Sequence, residues 1–122
     1  MNQALAFINY LKMGKINFSP EQAEDYCFAR AFDVISQERG RKLYPSLEGH
    51  ETPRFDEMEK SLNEVESEKI ISSEDHRVVQ AIAMRYFLEG FGKRNFAKPN
   101  SVNKTWPRFW DFIWDVGSIL AL

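Results

Sequence analysis

The sequence predicts an all-α fold: a compact bundle of four or five helices around a central helix near residues 74–91. Three observations carry this. Apolar residues recur at spacings of three and four in five separate segments, strand-like alternation is weak, and cap residues or glycines stand at most segment ends. A chain of 122 residues is close to the commonest domain size and can bury a core without a metal or a disulfide. The expectation is one helical domain across residues 1–122.

Residues 2–13 set Ala4, Phe7, Ile8 and Leu11 on one face, with Gly14 as the stop. A link follows at Lys15-Ile16-Asn17-Phe18, where a small β-ribbon would fit but nothing requires one. Ser19-Pro20-Glu21-Gln22 reads as a capping box: Ser19 accepts from the N–H of Gln22, the Gln22 side chain reaches back, and Pro20 takes the first helical position. The predicted helix runs to about Arg39, buries Cys27, Phe28, Ala31, Phe32 and Ile35, and ends at Gly40. Residues 41–52, with Pro45 and Gly49, lack periodicity and read as a loop.

Thr52-Pro53 opens a third helix. Its apolar stripe is thin (Phe55, Met58, Leu62 and Val65), so the helix is expected on the outside. Ser72 or Ser73 caps the helix near 74–91. There Val78, Val79, Ile82, Met84, Tyr86, Phe87 and Leu88 nearly surround the axis, which predicts a central position. Residues 92–104 read as a second loop. Thr105 caps the last helix, with Pro107 in its first turn; Trp106, Phe109, Trp110, Ile113, Val116 and Leu120 line one face. Phe112 and Trp114 flank that face. Gly117 lies within it, where a missing side chain lets another helix approach.

Charge is sorted along the chain. Residues 48–75 carry ten acids against three bases, whereas residues 90–110 carry five bases and no acid. The net charge of −2 hides this, and an acidic side and a basic patch are expected. Lys93, Arg94, Lys98, Lys104 and Arg108 are interleaved with Phe96, Trp106 and Trp110, a pattern in which cations meet phosphates and aromatic faces meet bases. The plainer reading is a solvated loop that balances the acidic helix. The acidic stretch has two readings as well, a nucleic-acid mimic or a solvated helix face.

Several chemistries lack a motif. Glu89-Gly90-Phe91-Gly92-Lys93 has neither the spacing nor the following Ser or Thr of a phosphate loop. The same stretch resembles the first signature of an RNA-recognition domain, but Glu89 and Lys93 break it and it ends a helix, so Gly90 reads as a helix C-cap. Cys27, the one cysteine, excludes an internal disulfide and a cysteine zinc site. With His50 or His76 it makes the one nucleophile–base pairing that can be drawn, and its place on an apolar face reads as a buried inert thiol. No metal or cofactor is expected. The N-terminal stretch lacks a basic region before its apolar residues and no run reaches a membrane span, so the expectation is a cytoplasmic protein with no membrane partner.

The functional expectation is a non-enzymatic binding protein that regulates or inhibits a larger protein or nucleoprotein, in the manner of phage- or plasmid-encoded accessory proteins. Its expected contact residues are Lys93, Arg94, Lys98, Lys104, Arg108, Trp110 and Trp114. Trp114, at the edge of its stripe, is the tryptophan expected to be exposed. The alternative is a nucleic-acid-binding protein that uses segment 93–108.

Overall fold

The computed structural model describes residues 3–49 and 54–120. Among them are six α-helices: α1 (Gln3–Met13), α2 (Tyr26–Ala31), α3 (Gln37–Leu43), α4 (Arg54–Glu66), α5 (His76–Arg85) and α6 (Phe109–Ile119), joined by short 3₁₀ turns. The all-α reading holds, with more and shorter helices than the sequence predicts. The link at 15–18 forms no ribbon. The one isolated bridge among the described residues is parallel and joins Ile71 to Phe96. His50 and the Thr52-Pro53 start of the third helix lie outside the described residues.

α5 is the axis of the fold, as its pattern predicts. Every residue from Val78 to Met84 is buried, and the helix touches α2, α4 and the 3₁₀ turns at Phe87–Glu89 and Pro99–Lys104. It is shorter than 74–91: it stops at Arg85, and Phe87–Glu89 form a 3₁₀ turn ended by left-handed Gly90. Its N-cap is Asp75, whose carboxylate accepts from the Arg77 N–H at 2.9 Å. Ser73 supports the cap by accepting from Asp75 N–H, while Ser72 bonds to Glu64.

The helix expected from Ser19 to Arg39 is two helices, and its start moves. The buried Asp25 carboxylate accepts from the N–H groups of Glu21 and Gln22 at 3.1 and 3.2 Å, so an ionised acceptor displaces the Ser19 hydroxyl as the cap. α2 then ends at Phe32. Asp33 turns left-handed (φ 59°), Val34 N–H reaches the Ala29 carbonyl and Asp33 N–H reaches that of Arg30, which is the Schellman pattern. Ser36 starts α3 by accepting from Arg39 N–H. Gly40 is not a stop; it lies inside α3, and its missing side chain admits the Tyr26 ring. α4 closes by the same Schellman pattern at left-handed Glu68.

The aromatic residues assemble the core. Tyr26 meets Phe55 edge-on at 4.8 Å, Phe18 meets Phe28 at 4.8 Å, and Phe7 of α1 meets Phe87 at 5.6 Å and Phe112 of α6 at 6.0 Å. The Tyr26 hydroxyl is buried with no hydrogen-bond partner among the described residues, and burial pushes its pKa up. Leaving a buried hydroxyl unpaired costs stability. Tyr26→Phe is therefore expected to raise stability by about 1 kcal/mol, read as a higher urea midpoint with an unchanged slope.

Thr105 does not cap the last helix. Its hydroxyl accepts from the buried amide of Gln80 at 3.2 Å, and α6 begins at Phe109. Along α6, Phe109, Ile113 and Val116 are buried. Trp114 falls roughly 130° around the axis from the middle of that stripe, at 100° per residue, and so faces away. A Cβ added at Gly117 would meet the Phe87 ring at ordinary contact distance, so the missing side chain is not what lets a neighbour approach there.

Candidate functional site

The basic stretch reads as a loop in sequence but is fixed in place. The Gly92 N–H donates to Asn95 Oδ1, and Lys93–Asn95 form a 3₁₀ turn. Ile71 N–H donates to the Asn95 carbonyl and Ala97 N–H to the Ile71 carbonyl, both at 2.9 Å, with Phe96 buried between them. Pro99–Lys104 form a second 3₁₀ turn that buries Val102. The Trp110 indole N–H donates to the Pro99 carbonyl at 2.8 Å. Trp110 is thus half-buried and engaged in holding the segment, tilted against Phe96 and edge-on to Phe109. We call residues 93–104 the strap.

Lys93, Arg94, Lys98 and Lys104 are exposed, and among the described residues none of them forms an ion pair; Arg108 pairs with Asp111 on the surface. Part of the acidic side is neutralised by other bases. Arg30 grips Glu59 through Nε and Nη2, Arg41 bonds Glu48 and Asp56 while lying over the Phe55 ring, and Arg54 bonds Asp75 at 2.9 Å. Four acids of 48–75 are therefore ion-paired, whereas Glu57, Glu66, Glu68 and Glu74, like Lys93, Arg94, Lys98 and Lys104 of the strap, form no ion pair among the described residues.

Trp114 is 75% exposed, as its position at the edge of the stripe suggests. It lines a groove of about 580 Å³ with Phe87, Leu88, Phe91, Ile113 and Gly117. Leu88 and Ile119 are also exposed, at 53% and 81%. Trp114 and Leu88 share the groove, and exposed apolar side chains grouped in this way mark contact surfaces.

A second concavity, of about 820 Å³, lies where α5 begins. Arg54, His76, Lys98 and Lys104 line it, together with Glu74 and Asp75. The sequence does not reveal it, because Arg54 and His76 meet the strap only through the fold. The pKa of His76 is held below its usual value by burial first, with Arg54, Arg77 and Lys104 adding to the effect and Asp75 opposing it. A histidine depressed in the folded state binds its proton more readily when unfolded. Its contribution to stability is then complete above the unfolded pKa and is lost as pH falls from there through the folded value. His76→Gln is expected to flatten the fall in thermal midpoint between neutral pH and about pH 5.

Cys27 is fully buried, and burial, with Asp75 adding to it, raises its thiol pKa, so it holds no thiolate at neutral pH. Among the described residues no group of His, Cys, Asp and Glu could hold a metal ion, and no helix is long and apolar enough to cross a membrane. No protein-family model matches the chain, and no curated protein or solved structure is similar to it.

Proposed function

We propose that this is a non-catalytic binding protein that docks on a larger protein through the groove at Trp114, in a cytoplasmic, accessory or inhibitory role. One observation carries the reading: an aromatic side chain, three-quarters exposed, stands beside a groove floored by Phe87, Phe91 and Ile113. Tryptophan is among the commonest anchors of protein interfaces, and Leu88 and Phe91 of the same groove would exclude water around it. The strap contributes unpaired positive charge that would speed encounter with an acidic partner.

A photo-crosslinking residue at position 114, in cells of the source organism, tests this. The expected result is a covalent adduct with one discrete larger protein, absent when the probe replaces Lys60 on the far exposed face of α4. Trp114→Ala is then expected to weaken that complex by about 2 kcal/mol, roughly thirtyfold, with an unchanged thermal midpoint. No adduct from position 114, or an adduct with a second copy alone, overturns the reading. The second reading, nucleic-acid binding, is favoured by the fixed, unpaired lysines of the strap. Retardation of a short oligonucleotide at low salt, abolished by alanine at Lys93, Arg94 and Lys98, would replace the first reading with it.

A further inference from the structure

We propose that the cavity between the start of α5 and the strap binds a small, phosphorylated, non-aromatic ligand, of the sugar-phosphate or short-polyphosphate type. Its volume, about 820 Å³, lies in the range of small-molecule sites. Basic residues converge on it from three parts of the chain: Arg54 from α4, already paired with Asp75; His76 from α5, which burial keeps neutral near pH 7; and the charged Lys98 and Lys104 from the strap. Two carboxylates also line it, and Asp75 is already committed, accepting from Arg54 and from the Arg77 N–H. Lys98 and Lys104 have no carboxylate partner among the described residues, and the remaining carboxylate, Glu74, is exposed. A ligand with two or more negative charges would satisfy both lysines.

Ser101 also lines the cavity, and its covered hydroxyl has no hydrogen-bond partner among the described residues; turned outward, it would gain one from an oxyanion. The first turn of α5 adds nothing, because the Asp75 carboxylate already caps it through the Arg77 N–H. The organic part of the ligand follows from what the lining lacks. Among the described residues no Phe, Tyr or Trp lines the cavity, so a nucleobase would meet only the small, partly buried His76 ring, whereas Asn100 and Glu74 suit hydroxyl groups. The site shares no lining residue with the Trp114 groove, so either proposal can fail without the other.

The test is an NMR titration of the whole protein with inorganic pyrophosphate and with ribose 5-phosphate, against sodium chloride at matched ionic strength. The expected result is saturable shifts confined to residues 74–76 and 97–104, with the His76 imidazole pKa rising as the anion binds. Lys98→Ala combined with Lys104→Ala is expected to weaken binding at least tenfold with an unchanged thermal midpoint, because both side chains are exposed and unpaired. Three results overturn the proposal: shifts that grow linearly and spread to Lys93 and Arg94 as with chloride, unaltered binding by the double variant, or tighter binding of a short single-stranded oligonucleotide than of either probe.

Discussion

Replacing Gly40 by alanine is expected to cost about 3 kcal/mol of folding stability, although alanine is the better helix former by about 1 kcal/mol. A methyl group built at Gly40 would lie 2.3 Å from Tyr26 Cε1 and 2.6 Å from Cδ1. The ring cannot swing clear. It is fully buried, and its other side meets Phe55, itself fully buried. Either α3 backs away from α2 or the ring leaves its rotamer, and both disturb close packing. For a domain of this size the thermal midpoint should fall by roughly 10 °C. A double-mutant cycle separates this from a backbone effect. In a Tyr26→Ala background the same substitution should cost nothing and return up to about 1 kcal/mol of helix propensity. An equal cost in both backgrounds would show that Tyr26 is not the obstacle.

Asp25→Ala is expected to cost about 2–3 kcal/mol. Asp25 is 7% exposed and accepts three hydrogen bonds: from the N–H groups of Glu21 and Gln22 and from Gln3 Nε2 of α1 at 3.1 Å. Alanine would leave these donors without their acceptor in a partly buried place and cut a tie between α1 and the start of α2. Asp25→Asn keeps an oxygen where both backbone donors point, so it should recover more than half of the loss. Denaturant unfolding of the three proteins decides the matter; an asparagine variant as weak as alanine would mean that charge, not hydrogen-bond geometry, holds the turn.

These two sites also explain where the sequence misleads. Glycine was the stop signal sought, and at Gly14 it serves: the residue is left-handed (φ 72°) and its N–H returns to the Tyr10 carbonyl. The helix ends at 33 and 68 use an aspartate and a glutamate in the same conformation, an unusual choice that costs strain and carries no pattern to read. Gly40 attracted the stop instead, because a glycine excluded by a neighbouring ring and a glycine needed for a turn look alike in one dimension. Periodicity fared better. It located α1, the buried α5 and the buried stripe of α6, because burial on one face is what repeats every 3.6 residues.

The candidate surfaces were legible to different depths. Trp114 could be placed outward from its angle on the helix alone. Trp106 and Trp110 share its four-residue spacing yet are partly buried, and the hydrogen bond from Trp110 to the Pro99 carbonyl has no local signature. The basic run was visible as composition. Its lack of internal ion pairs was not, since that depends on where the fold places the strap relative to the acids, some of which Arg30, Arg41 and Arg54 hold. The cavity at His76 had no sequence signal, because its walls come from three separated stretches.

The strap is tied at Ile71 and at Trp110, with the Gln80–Thr105 bond just past its end, and this bears on selectivity. A free loop gives up about 1–2 kcal/mol per residue when it is ordered on binding; here folding has already done the ordering. The anchor points of its lysines cannot shift with whatever arrives, although the side chains still rotate. Recognition by this face should therefore favour visitors whose negative charges match the spacing of those anchor points.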